Sequence, residues 1–189
     1  MAKNQKRRKR MAKINALHTF VNANAYQLTA QLIDKHPNNK HHLLWPMIVN
    51  EAFALELFLK CLHEARRRSI WGHEPHDLFH KLSKADRKSI EIRYNAIIVG
   101  HPLYAIASAE GVPLDIESVL LRAQKLFTGG RYWHERIDLS KDSQGYATNA
   151  GVGSLSDAIR DLLYEIKPDW KTKIVNFKWT FPGKTQLTT

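Results

Sequence analysis

Three groups of side chains carry the chemistry this sequence offers. The first lies in Asn50–Lys60, where Glu56 and Lys60 stand four residues apart inside an apolar run. Acid first and base second is the favourable order for an ion pair on one helix face. Leu55 and Leu57 flank Glu56, so its carboxylate is expected to meet a partly dry interior, where it needs a partner or a proton. Lys60, Arg131 or a tyrosine hydroxyl can serve. The same pair can equally be plain structure, since such pairs perturb proton affinities without catalysing anything. The second group is His76, Asp77 and His80, with His73 close by. Asp77 suits the positive end of a helix, and His76 can hydrogen-bond locally. Two histidines four apart share a face and can bind zinc. There is no cysteine partner and no His-Glu-x-x-His frame, however, so capping and packing are expected, with no metal and no other cofactor. The third group is Arg131, Tyr132, Trp133, His134 and Glu135. Arg131 and His134 share a face if helical, pairing a proton carrier with a charge stabiliser, and the two aromatic rings can stack or pack. Alternatively Arg131 pairs with Glu56 or Glu135 and locks helices together while Trp133 fills core.

The elements that must position these groups are helical. Ile14, Leu17, Val21, Ala25, Leu28 and Leu32 recur three or four apart over residues 14–35, one amphipathic stripe, which Pro37, Asn38 and Asn39 end. The most apolar stretch, 45–62, carries Ile48, Ala52, Leu55, Leu59 and Leu62 in one row, widened by Val49, Phe53 and Phe58. Pro46 fits its first turn, Arg66, Arg67 and Arg68 suit its C-terminal end, and Gly72 closes it or opens the loop. This is the expected central helix. A short helix after Pro75 holds Leu78, Phe79 and Leu82. Ser83 and Asp86 have capping-box spacing ahead of Ile90, Tyr94, Ile97 and Ile98, and Gly100 with Pro102 marks the end. Residues 103–114 read as a connecting loop with room for a short helical turn. Asp115 caps a helix with Ile116, Val119, Leu120, Ala123 and Phe127, stopped by Gly129 and Gly130. After a polar loop over 139–153, Ser154 and Asp157 repeat the capping spacing before Ile159, Leu162, Leu163 and Ile166, and Pro168 bars extension. Val175, Phe177, Trp179 and Phe181 alternate with polar residues, a period of two that suggests an extended arm or a contact with another chain.

With no βα alternation, repeat or glycine-rich phosphate loop, the fold class is all-α, a bundle of about five to six helices. The organisation expected is a basic, flexible tail at 1–13, a helical domain at 14–168 and an extended C-terminal arm at 169–189.

Residues 50–60 resemble the helix of the HEPN family that carries a Glu and a Lys within apolar surroundings. Pro75-His76-Asp77-Leu78-Phe79-His80-Lys81-Leu82 is similar to that family's HDL..LF..L signature, and Arg131-Tyr132-Trp133-His134-Glu135 to an RY.YE element of one bacterial branch. Order and spacing agree across 45–135, about half the chain. The resemblance implies a helical bundle that acts on RNA or a nucleotide, with Glu56, Lys60, His76, Asp77, Tyr132 and Glu135 supporting or binding. It also implies a catalytic pair, Arg131 and His134, in a cleft between two protomers. There His134 would move the proton of a ribose 2′-hydroxyl and Arg131 would stabilise a pentavalent phosphate, with no metal. In this sequence two residues separate that Arg from that His, where the family's ribonucleases carry four to six. Arg68 and His73 have four between them but fall in the loop after the central helix, and Arg93 and His101 have seven. The implied partners are RNA or a nucleotide, a second copy of the chain, and a protein such as an antitoxin or a nucleotidyltransferase, in a defence or toxin–antitoxin setting. A non-catalytic helical interaction or dimerisation module, or a nucleotide-binding accessory subunit, is the alternative.

Charge fits a polyanionic partner unevenly. The chain carries a net +11 over 189 residues. Seven cations and no acid fall in residues 1–13, leaving 22 basic and 18 acidic side chains elsewhere. Such a tail either neutralises phosphates, giving salt-sensitive and sequence-blind binding, or is simply solvated. The one cysteine, Cys61, lies in the apolar run and suits a small core side chain, so no disulfide framework exists. No apolar stretch approaches a membrane span, and no apolar signal core follows the basic start; a cytoplasmic protein is expected.

Overall fold

A helix whose apolar residues reach around more than half its circumference has to be enclosed, and that requirement organises the bundle. The computed structural model describes residues 15–35, 43–130 and 151–175. Among these residues are eight helices and no strand: α1 (Ala16–Asp34), α2 (Leu44–Ala65), α3 (Pro75–His80), α4 (Lys84–Val99), α5 (Pro102–Ala109), α6 (Ile116–Gly130), α7 (Val152–Ile166) and α8 (Trp170–Val175). The all-α class expected from periodicity is the one that forms. The two helices beyond the expected six are short: α5 occupies the presumed connection, with Pro102 starting it rather than merely ending α4, and α8 occupies the first residues of the presumed arm.

The central helix is α2. Ile48, Ala52, Leu55, Leu59 and Leu62 are fully buried, as is Phe58, and α1, α3, α6 and α7 all pack on it. Burying each large side chain contributes about 1.5–3 kcal/mol. The helix ends at Ala65, before Gly72, in a Schellman turn: the Arg68 N–H donates to His63 O (2.8 Å) and the Arg67 N–H to Glu64 O (2.8 Å). The left-handed residue of that turn is Arg67, at φ 60°. At the second helix pair, Ser83 caps α4 as expected, accepting from the Asp86 N–H (3.1 Å) and donating to its carboxylate (2.8 Å). Asp86 also receives Nε and Nη2 of Arg66, so the end of α2 is tied to the start of α4.

Three local expectations are corrected. α1 turns a different face inward: Phe20, Ala23, Gln27 and Ala30 are buried beside Val21, whereas Leu28 and Leu32 of the expected stripe are 55% and 61% exposed. Small alanines let α1 lie close along α2. Gln27 is held by α7, donating to Asp157 (2.8 Å) and accepting from Arg160 (2.8 Å). A satisfied buried amide is invisible to a pattern that counts apolar residues only. α7 begins at Val152, with Gly151 as its cap, so Ser154 lies buried within the first turn rather than ahead of it. Burial of Val152 and Leu155 draws the start of the helix into the core. α6 runs through Gly129 and Gly130 rather than stopping before them.

Trp170 of α8 packs on Phe20, with ring centroids 4.9 Å apart, and Phe20 meets Phe58 and Tyr164 edge-on. The alternating residues Phe177, Trp179 and Phe181 lie outside the described residues, as does the basic segment 1–13. No helix among the described residues is long and apolar enough to cross a membrane.

Candidate functional site

The bundle gathers ionisable groups at two places along α2 and α3. The first is built on α2. Glu56 is 1% exposed, and its Oε1 accepts from Lys60 Nζ at 2.7 Å, so the four-residue pair read from the sequence forms. A third member comes from the loop after α2: His73 Nδ1 lies 2.9 Å from the same oxygen and 3.4 Å from Lys60 Nζ. That nitrogen can donate to the carboxylate or accept from the ammonium, and not both; the contact to Glu56 is the shorter. Glu56 Oε2 is buried and has no hydrogen-bond partner among the described residues. A carboxylate oxygen in that state is costly, since water is excluded and no described residue replaces it.

The second place lies between α3 and α6. α3 is short because Pro75 opens it and Lys81 ends it after six residues, and it is anchored by buried Leu78 and Phe79. His63 of α2, itself buried, holds its backbone through Nε2 to Leu78 O at 2.8 Å. Desolvation pushes the His63 imidazole below its ordinary proton affinity; the bond to Leu78 opposes that less strongly. Fixed this way, α3 presents His76 and His80 on one face, ring centroids 4.5 Å apart. Facing them is Glu117 in the first turn of α6. Its Oε2 is 3.0 Å from His76 Nε2 and its Oε1 is 2.8 Å from His80 Nε2. Asp77 Oδ1 lies 3.7 Å from His76 Nδ1, and Arg87 Nη1 lies 3.4 Å from His80 Nδ1. Asp77 stands in the first turn of α3, where its charge complements the dipole as expected; the cap position itself is Glu74, which makes no side-chain cap bond. An open groove of about 640 Å³ adjoins Glu117, bounded by Phe79, Lys84, Arg87, Lys88 and Asp115.

Of the residues singled out from sequence, Glu56 and Lys60 are joined directly. His76 and Asp77 belong to the separate α3–α6 cluster. Arg131, Tyr132, His134 and Glu135 lie outside the described residues. No family model, curated protein or solved structure matches the chain. The chemistry therefore rests on the residues themselves.

Two participants escape a reading of the sequence. His73 stands 17 residues from Glu56, and only the Schellman turn that reverses the chain after Ala65 brings it back. Glu117 looks like any acid in a first helical turn, placed to complement the dipole. Its one other signal is Asp115, whose carboxylate caps α6 by accepting from the Ser118 N–H at 2.9 Å and so fixes where Glu117 points. Cys61 is no nucleophile: burial raises its thiol far above the usual range, and Sγ donates to Ala16 O.

Proposed function

We propose that this chain is a HEPN-like helical protein that acts on RNA, either cleaving it without a metal or holding it without cleavage. The observation that carries the reading is Glu56, a carboxylate buried in the central helix, tethered on one oxygen and, among the described residues, without a hydrogen-bond partner on the other. A group kept at that expense in the middle of an apolar helix points to a role beyond filling space. The segment His76–Leu82 supports the reading, because its Leu78 and Phe79 share one core with Leu55, Phe58 and Leu59 of α2. Two of the three stretches that carry the resemblance thus belong to one packed body. In the cleaving form, His134 takes the proton of a ribose 2′-hydroxyl as that oxygen attacks phosphorus, Arg131 stabilises the charge that builds on the phosphate, and the P–O5′ bond breaks to leave a 2′,3′-cyclic phosphate while the departing 5′-oxygen takes a proton from water. The basic residues 1–13 add salt-sensitive attraction to the phosphate backbone.

The test is incubation of purified protein with mixed RNA in EDTA, beside Arg131→Ala and His134→Ala. Cleavage that both variants lose supports the catalytic form. Binding without cleavage, weakened by removing residues 1–13, supports the silent binder. Neither cleavage nor binding overturns the reading.

One observation favours a second reading, a helical module that joins another protein or its own copy. Leu28 and Leu32 lie four apart on the exposed side of α1, where an isolated helix surface has no use for them. Sedimentation of the wild type beside Leu28→Glu/Leu32→Glu decides it. A dimer that the double variant dissociates supports self-association, and a strict monomer at micromolar concentration removes the joining of two copies and any composite active site.

A further inference from the structure

We propose that His76, His80 and Glu117 form a zinc-binding site that links α3 to α6. The geometry is already close to what the metal requires. One donor atom from each residue lies within 4.8 Å of the other two. Both Nε2 atoms point at the Glu117 carboxylate, at 3.0 and 2.8 Å. In a tetrahedral site with metal–ligand bonds of about 2.0–2.1 Å, donors sit about 3.3 Å apart. Each histidine nitrogen must therefore move a few tenths of an ångström from the carboxylate oxygen it faces, and the two nitrogens, which face different oxygens, must converge on one ion. Two imidazoles and a carboxylate form a donor set that suits zinc among the divalent metals, and three protein ligands leave the fourth position to water. The two histidines are preorganised by their four-residue spacing on α3, whose backbone His63 fixes at Leu78. Glu117 is preorganised by the Asp115 cap.

The surroundings make the site specific enough to dissect. A histidine that binds metal through Nε2 carries its proton on Nδ1, so the group facing Nδ1 should be an acceptor. For His76 that group is Asp77, at 3.7 Å, close enough to form the bond with a small ring rotation. For His80 it is Arg87, a donor, at 3.4 Å. Without metal this contact is favourable, since Nδ1 accepts while Nε2–H donates to Glu117. With metal bound, two donors face each other and the guanidinium must withdraw. Arg87 is thus an antagonist of metal binding built into the cluster. Replacing it by an acceptor should tighten the site, whereas a merely structural ion-pair network would show no such gain.

The experiment is titration of the full chain, freed of metal, with zinc chloride by calorimetry, and with cobalt(II) chloride followed by its visible absorption. Wild type is expected to bind one zinc tightly, with cobalt giving the intense bands of a four-coordinate ion. Glu117→Gln and His80→Ala should each weaken that binding at least tenfold, and Arg87→Gln should strengthen it. Unchanged metal-free melting of Glu117→Gln keeps the comparison sound, and His80→Ala provides a second readout should that variant melt early. No stoichiometric zinc, or zinc held equally well by the Glu117 and His80 variants through the chain's other histidines, overturns the proposal. Because the readout is metal binding and not RNA cleavage in EDTA, it stands or falls apart from the RNA reading.

Discussion

Replacing Lys60 by methionine should cost the fold about 3 kcal/mol, and replacing Glu56 by leucine at the same time should restore most of it. The magnitude follows from burial. Glu56 is 1% exposed and Lys60 18%, so the pair is largely out of water. Removing one member of a buried pair costs about 3–5 kcal/mol, because the remaining charge has neither solvent nor partner. The lower end applies here, since His73 remains within 2.9 Å of the carboxylate, but His73 is 74% exposed and well hydrated itself. Exchanging both members for apolar residues of similar volume is close to neutral in comparable cases. Oε2 adds to that expectation, because it has no partner among the described residues and leucine removes it as well. With a urea slope of about 2 kcal/mol/M, Lys60→Met should move the unfolding midpoint down by roughly 1.5 M. The double variant should return to within about 0.5 M of wild type. Urea titrations at pH 8, followed by circular dichroism, measure both. A Lys60→Met midpoint within roughly 0.25 M of wild type, or a double variant worse than the single, would refute the buried-charge reasoning. The folded double variant also serves function: if it keeps all RNA activity, Glu56 is structural only.

Two left-handed residues should respond in opposite directions. At Gly151, φ is +89°, and an added Cβ would lie 2.7 Å from Tyr94 Oη and 2.8 Å from Val119 Cγ2. Tyr94 is buried and donates to Leu114 O, which leaves little room to yield. Gly151→Ala should therefore lose roughly 3 kcal/mol from strain and overpacking together, and a thermal melt within a degree of wild type would contradict it. Arg67 has open surroundings and the same class of backbone, so Arg67→Gly should gain roughly 0.5–1 kcal/mol in the same assay. Acidity should act through His63. Burial lowers its folded proton affinity below the unfolded value of 6.5, so the unfolded chain takes up a proton first as pH falls. Its stabilising contribution is complete above about pH 6.5 and is lost below it, by up to about 1.4 kcal/mol per pH unit. Urea midpoints at pH 7.5 and 5.5 should differ less in His63→Gln than in wild type; an equal difference would assign the slope to other groups.

Much of the scaffold is written locally. The row Ile48, Ala52, Leu55, Leu59 and Leu62 names the core of α2 outright, because so wide an apolar face has no stable place except the interior. Ser83 and Asp115 mark helix starts through side-chain bonds that span only three residues. The Glu56–Lys60 pair is legible for the same reason, since helix pitch alone brings its members together. What local spacing cannot supply is the choice among faces and the meeting of distant segments. α1 carries two plausible faces, and only the approach of α2 and α7 selects the one with Ala23, Gln27 and Ala30 over the one with Leu28 and Leu32. α7 has its cap at Gly151 rather than Ser154 because Val152 and Leu155 are drawn into the core, and neighbouring Tyr94 and Val119 leave no space for a side chain at 151. His73 reaches Glu56 through the turn at Arg67, and Glu117 reaches His76 and His80 through the packing of α6 on α3. Helix periodicity is an interaction over four residues and is encoded in the chain; a site assembled from two helices depends on how their surfaces fit, and that is settled only when the whole bundle closes.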